Sequence, residues 1–555
     1  MKNAYRTNKN QGCDLMADLS LLYPRNVKPD TKLLSPEAVN DLSIEFICEK
    51  LSGELFEQNI IKNIMINIEK NPEVIRYRRD IFDDIYHFPK LRERIKDLLE
   101  ELAYLKELEK SAKDATASPI WQLVNRLHEL DIYVNCISGI HESLTENDIK
   151  SEGLMQLKDF VSNIYNENGF EYLHDDIKEL VSEIGQVKSL SIGVNLDSKL
   201  MPVEVGIVSV NNKPFSKPGL LSKFLDFSSK KNEIHNGTSF DGMTKIHTVG
   251  NVSGEDPLMQ NLSRVMTEML SSTVKQLKSK LSKYTNISGY SLTKLIPEFI
   301  FYIRWADYIQ QVRDLGIPMC KPEILDISKR ELHTTGVYNF KLAIQNVDGH
   351  KLEIVRNDFE FTPEHGIYIM TGPNRGGKTT MTQAIGLMFL LAQSGLYVPA
   401  ESASLSPADS IYTHFPADEN KTVNLGRLGE ESKRMSEIFS EATNESILLF
   451  NESLATTSFA EGLYIAKDVV RALRYLGART IFNTHMHELA MTLDEVNTQI
   501  KGDIKVASLI TGIHEGKRSY KIFIAPPEGV SYAQDIAKKY GVTFDQLAER
   551  IDSAV

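Results

Sequence analysis

Ten residues, TGPNRGGKTT at 371–380, limit what this chain can fold into more than any other stretch. Gly372, Gly377, Lys378 and Thr379 satisfy the spacing G-x-x-x-x-G-K-[ST]. The apolar GIYIM before them reads as a strand, and TTMTQAIGLMFLLA after them reads as an amphipathic helix. A strand that turns through glycines into a helix is a phosphate cradle. The glycines let backbone amides curl around a β-phosphate, and the helix N-terminus adds partial positive charge. Lys378 then reaches the β- and γ-phosphates, and the Thr379 hydroxyl is a ligand for Mg²⁺. The expected binding set is Gly372, Pro373, Asn374, Gly376, Gly377, Lys378, Thr379 and Thr380, with ATP and Mg²⁺ as the cofactors.

Two further strand-like runs supply the remaining chemistry. SILLF at 446–450 ends in Asn451-Glu452, where a phosphate-hydrolysing enzyme of this kind normally carries Asp-Glu. Glu452 is placed to orient or deprotonate an attacking water. The run ARTIFNT delivers His485, a candidate γ-phosphate sensor, so Glu452 and His485 are the catalytic candidates and Thr379 and Asn451 the metal-side pair. His485 and His487 form an H-x-H pair, but no further Cys or His spacing completes a zinc site.

The 555 residues exceed what one core usually supports, which predicts two or three domains. With 42% hydrophobic and 25% charged residues the chain is of the folded, soluble class. Its formal charge of −12 argues against a wholly basic nucleic-acid binder, while leaving room for a local basic patch. Cys13, Cys48, Cys136 and Cys320 show no C-x-x-C spacing, and the polar start MKNAYRTNKNQG carries no apolar signal segment. The most apolar run, AIGLMFLLAQSGLYV, is too short and too interrupted to span a bilayer. A cytoplasmic protein without a membrane segment is expected.

From about 40 to 190 apolar residues recur at helical spacing, clearest in Leu91, Ile95, Leu98, Leu102 and Leu105, a stripe that predicts helix-bundle core. Between 191 and 256, SIGVNLD, VEVGIVSV and IHTVG cluster β-branched residues, with turn signals at Asn236-Gly237 and Asp241-Gly242. Helical spacing returns from 257 to 315, with Val274, Leu277 and Leu281 on one face. From about 335 strand-like and helix-like runs alternate, the pattern of a sheet covered on both faces.

The motifs at the three strand ends resemble those of the MutS mismatch-repair family. GPNRGGKT fits the family's G-P-N-x-G-G-K-[ST], LLAQSGLYVPAESASLSPADSIYTHF resembles its L-A-Q-x-G-x-x-V-P-A stretch, and NESLATTSFAEGLYIA is similar to D-E-x-G-x-G-T-S-x-x-[DE]-G-x-x-I-A. NTHMHEL matches T-H-x-x-E-L, and GVSYAQDIAKKYGV resembles the segment that packs two ATPase domains together. Upstream, VIRYRRDIFDDI and FIFYIRWADYIQQVRDLGIPMCKPEI are similar to the family's core and lever helices.

The resemblance implies a multidomain chain: an α-helical core and lever with a small β-rich clamp-like insertion, followed by an α/β P-loop ATPase domain of the ABC type. It places helical core and lever at 1–190, the insertion at 191–256, returning helices at 257–330, and the ATPase domain with a C-terminal dimerisation segment at 331–555. On this resemblance a short form is expected, without room for the family's N-terminal mismatch-reading and connector domains. The resemblance further implies a homodimeric, Mg²⁺-dependent ATPase that binds mismatched, branched or distorted DNA by backbone and shape, and Asn451 in place of Asp predicts that turnover is slow. A clamp on ribosomes or structured RNA is the alternative. Contacts to phosphates fall to Lys217, Lys223, Lys230 and Lys231, with Lys275, Lys278 and Lys283 on the returning helix. No L-S-G-G-Q motif supports a transporter ATPase, and no carboxylate cluster supports a nuclease.

Three departures from the family pattern stand out. Asn451 takes the place of the Mg²⁺-associated Asp, and Leu454 and Thr456 take the places of glycines. NLGRLGEE replaces a Ser-Thr signature that faces the partner's nucleotide, leaving the N-terminal amides of the helix starting near Leu428, with Asn424 or Gly426, to serve there. Asn451 keeps an acceptor oxygen but loses a negative charge, which predicts weaker Mg²⁺ affinity.

Overall fold

The computed structural model describes residues 19–112, 119–185, 188–199, 202–213, 271–284, 287, 289–373, 376–416, 426–454, 458–514, 517–526, 538 and 540–552. The chain forms two compact units. One comprises 1–17, 93–148 and 157–296, the other 18–92, 149–156 and 297–555. The phosphate-loop unit therefore gathers segments from three separate parts of the chain.

Among the described residues the first unit is helical apart from one hairpin. Ile95, Leu98, Leu102 and Leu105 are all buried, as their spacing predicts. Helix Ser271–Leu281 buries Leu277 and Leu281 and leaves Lys275 and Lys278 exposed. The same helix is tied to helix Asn168–Gly185 through Lys280, which reaches Glu179 at 2.5 Å, and beyond its end Lys283 meets Asp176 at 3.2 Å. Strands Ser189–Leu196 and Pro202–Asn211 pair antiparallel, with Ser189 opposite Asn211 and Leu196 opposite Pro202. The predicted turns at 236–237 and 241–242 and the IHTVG run lie outside the described residues.

The second unit is built on a six-stranded sheet. Its strands in chain order are β1 (Ile367–Thr371), β2 (Ile411–His414), β3 (Ile447–Asn451), β4 (Arg479–Asn483), β5 (Val506–His514) and β6 (Lys517–Ile524). Their spatial order is β2-β3-β4-β1-β5-β6; all neighbours are parallel except the β5–β6 pair. Every residue of β1, β2, β3 and β4 is buried, which explains why β1 and β3 read as continuous apolar runs rather than alternating ones. A four-stranded sheet with order Glu323–Ile324, Ser402–Leu405, Leu332–Val337 and Asn357–Phe361 accompanies it.

Helix Lys378–Gln393 follows the phosphate loop and buries nearly its whole length, so its apolar content serves packing rather than a membrane. No helix among the described residues is long and apolar enough to cross a bilayer. Cys48 and Cys136 are buried, and burial pushes both thiols up to about 12, which keeps them in the unreactive thiol form.

Helix Lys378–Gln393 ends where Gly395 takes φ of 82°. A Cβ there would lie 2.3 Å from the Cβ of Arg78 and 2.8 Å from the backbone nitrogen of Arg79. We expect Gly395→Ala to cost about 3 kcal/mol or more in urea denaturation, combining left-handed strain with overpacking. Gly349→Ala, at φ of 95° but facing open space, isolates the backbone part and should cost about 1 kcal/mol.

Candidate nucleotide site

Three parallel strand ends meet side by side. β1 opens into the glycine loop, β3 ends in Asn451 and Glu452, and β4, which lies between them, leads to Thr484 and His485. Gly372 has φ of 137°, and a Cβ on it would come within 2.0 Å of the Thr511 hydroxyl. A Cβ on Gly376 would come within 2.8 Å of the Pro373 carbonyl. The loop thus admits no side chain at either position. Gly377, with φ of 92°, caps helix Lys378–Gln393 without any side-chain bond, so the first amides of the helix are free for an anion.

Lys378 is buried and donates to the carbonyls of Gly372 and Pro373 at 3.0 and 3.1 Å. Burial pushes its amine down to about 8, against a smaller upward pull from Glu452. Phosphate oxygens would give this ammonium the counter-charge that the loop carbonyls only partly supply. The Thr379 hydroxyl donates to Asn451 Oδ1 at 2.8 Å. These two hard oxygen donors, beside a glycine cradle with free amides, fit a phosphate-bound Mg²⁺.

His485 Nε2 donates to Glu452 Oε1 at 2.8 Å. That bond, aided by the charges of His485 and Lys378 and opposed by burial, holds the Glu452 carboxyl below the usual range. Glu452 itself has φ of 50°, and its backbone N–H donates to the Asn483 carbonyl at 2.9 Å. The carboxylate is therefore ionised and held by His485, while β4 anchors the Glu452 backbone.

Leu454 keeps the left-handed backbone that a glycine favours, with φ of 65°. Such a conformation costs a non-glycine residue about 1–2 kcal/mol. The leucine side chain is fully buried in the cluster formed by Phe450, Ala466, Val470 and Phe482, which is worth about 2–3 kcal/mol. Burial outweighs strain, and the departure from glycine is accommodated. The Leu454 N–H donates to Glu431 Oε2 at 2.7 Å, while His414 joins Ser453 Oγ at 2.7 Å to the Glu431 carbonyl at 3.1 Å. Glu431 lies on helix Gly426–Glu441, which Arg434 fastens to Asp41 at 2.9 Å. That helix begins two residues before Leu428.

Next to the loop opens a cleft of about 460 Å³, lined by Tyr338, Asn339, Leu342, Leu352, Val355 and Tyr520 together with Gly376–Thr380 and Glu452. Its size suits a small-molecule ligand. Asn339 joins it to the loop helix by donating to the Thr380 carbonyl at 2.9 Å. The sequence motifs miss Tyr520 and Asn339, which reach the site through folding rather than proximity in sequence, and they include Asn483 without assigning it a partner. Of the predicted residues, Gly372, Pro373, Gly376, Gly377, Lys378, Thr379, Thr380, Asn451, Glu452 and His485 converge here, and Asn374 lies outside the described residues. His487 starts a short helix, and no metal-ligating cluster occurs among the described residues. Lys217, Lys223, Lys230 and Lys231 also lie outside the described residues, while Lys275, Lys278 and Lys283 sit in the other unit.

A family model described as MutS domain V matches residues 368–544, and another described as MutS2 N-terminal domain matches residues 70–315. The chain belongs to the MutS family. Over 207 residues this MutS-family chain is 32% identical to the DNA mismatch repair protein MutS of Chlorobium chlorochromatii, covering 37% of this chain and 23% of the relative. It is 31% identical over 195 residues to Endonuclease MutS2 of Thermus thermophilus, covering 35% and 25%. A DNA mismatch repair protein MutS of Streptococcus pneumoniae is 32% identical over 196 residues, covering 35% and 23%. The matched part spans about a quarter of the length of these relatives.

The charge state of Lys378 yields a pH prediction. In the nucleotide-free MutS-family site the lysine loses its proton above pH of about 8, while bound phosphates hold it charged. Binding then takes up a proton, so affinity for a fluorescent ATP analogue is full below a pH of about 8. It should fall by up to roughly tenfold per unit above that. An affinity that stays flat from about one pH unit below that value to well above it would contradict this assignment.

Proposed function

We propose that this chain is a MutS-type, Mg²⁺-dependent ATPase whose nucleotide cycle controls its grip on mismatched, branched or distorted DNA. One observation carries the ATPase reading: the glycine loop, the Thr379–Asn451 bond and the Glu452–His485 pair converge at neighbouring strand ends beside a nucleotide-sized cleft. The loop of Gly372, Pro373, Asn374, Gly376 and Gly377 receives the phosphates through the backbone N–H groups of its non-proline residues, and Lys378, Thr379 and Thr380 hold the β and γ groups. Mg²⁺, when bound, neutralises charge on those phosphates and orients them for in-line attack. Glu452 orients and deprotonates the water, and His485 holds the Glu452 carboxylate in place. Asn451 carries one negative charge less than the usual aspartate, so turnover is slow and the Mg²⁺ requirement high.

The DNA reading is supported by the names of the relatives, which are DNA mismatch repair proteins and a MutS2 endonuclease. None of the relatives named above is described as a ribosome or RNA protein. In this reading 1–190 and 257–330 form core and lever helices, 191–256 a clamp-like insertion, and 331–555 the ATPase domain that dimerises with a second copy. Exposed Lys275 and Lys278 are the better phosphate-contacting candidates among the described residues, because Lys283 is already paired with Asp176.

ATP hydrolysis by wild type, Lys378→Ala and Glu452→Gln, with and without forked or junction DNA, tests this. Glu452→Gln should keep ATP binding while turnover falls by about 10²-fold or more, and Lys378→Ala should lose binding. Branched DNA should change the wild-type rate, and Lys275→Glu with Lys278→Glu should weaken that response. Wild type that neither hydrolyses ATP nor responds to any DNA would overturn the proposal.

A further inference from the structure

Asn451 poses a problem that an aspartate at the same place would not. A carboxylate shows an oxygen whichever way it turns, whereas an amide shows oxygen on one side and NH₂ on the other. An NH₂ turned toward Thr379 would aim positive N–H dipoles at the place where a cation belongs. Some neighbour has to choose the orientation.

That neighbour is in the structure. Asn451 and Asn483 end adjacent parallel strands and are direct partners in register, so their side chains emerge on the same face. Asn483 is fully buried, and its Nδ2 donates to Asn451 Oδ1 at 2.5 Å. The Thr379 hydroxyl donates to the same oxygen at 2.8 Å. With the Asn483 amide and the Thr379 hydroxyl both donating, the atom they share is the Asn451 carbonyl oxygen. The Asn483 Oδ1 has no hydrogen-bond partner, a cost of about 1–3 kcal/mol for a buried acceptor. Turning both amides over would keep the bond between them but present NH₂ to Thr379.

We infer that Asn483 is a positioning residue for the cation side of the site: its amide fixes Asn451 with the carbonyl oxygen facing Thr379, substituting by orientation for the missing carboxylate. The inference rests on the Mg²⁺–ATP reading above. Asn483 does not touch nucleotide or metal; it acts through Asn451.

The test is a thermodynamic cycle read by binding rather than turnover. Fluorescent ATP analogue is titrated with Mg²⁺ on wild type, Asn483→Ala, Asn451→Asp and the double variant; melting in EDTA without nucleotide reports folding. Asn483→Ala should raise the half-saturating Mg²⁺ concentration roughly tenfold when Asn451 is present. In the Asn451→Asp background, where no orientation has to be chosen, the same change should shift it less than about twofold. Asn451→Asp alone should lower it. If Asn483→Ala lowers melting severely, Asn483→Leu fills the space without a donor and should give the same cycle. Equal shifts in both backgrounds would mean that Asn483 only packs the strand ends, and no shift in either would remove it from the site; both results overturn the inference. Wild type that binds no nucleotide at any Mg²⁺ concentration fails the ATP reading first, and the inference with it.

Discussion

The site depends on one constraint: β1, β3 and β4 are buried on both faces, so nothing within them can meet a water-borne substrate. Chemistry is confined to the residues where these strands emerge. Because the strands are parallel and in register, they emerge at one level, and the glycine loop, Asn451 and Asn483 become neighbours without any side chain having to stretch. The burial that makes the strands hydrophobic also sets the position of the polar groups at their ends. Lys378 feels the same burial, which is why its amine is poised to gain rather than lose stability when phosphate arrives.

Much of this was legible in the sequence, for a physical reason. Glycine loops between a strand and a helix, and polar residues at strand ends, are local patterns, and so the convergence of Gly372, Lys378, Glu452 and His485 could be expected from their spacing. Asn451 was legible as a departure from aspartate, but its hydrogen bond to Asn483 was not. Its partner Asn483 stands 32 positions away, and only strand register brings the two together. Leu454 looks disruptive where a glycine is usual, because sequence shows the strain and hides the cluster that offsets it.

Less was legible in the helical part. The stripe from Ile95 to Leu105 correctly marks a buried face, since burial is what a helical period records. A period cannot say which distant segments share a core, and the inclusion of 18–92 in the phosphate-loop unit had no local signature. Tyr520 and Asn339, which line the cleft, stand far from Lys378 in the chain and carry no motif of their own. Lysine side chains are the least legible group. Lys280 and Lys283 look like the exposed Lys275 and Lys278 in sequence, yet they are engaged by acidic residues of helix Asn168–Gly185.

The bonds from Glu431 to Leu454, and through His414 to Ser453, make the loop after β3 a passenger of helix Gly426–Glu441. Glu452 is only one residue from Ser453 and two from Leu454, and it already sits in a strained left-handed conformation. A hydrogen bond tolerates only a few tenths of an ångström before it weakens. Displacement of the helix by about 1 Å would therefore either drag the carboxylate with it or release it to relax. The placement of helix Gly426–Glu441 and that of the backbone beside Glu452 are thus linked mechanically through three hydrogen bonds.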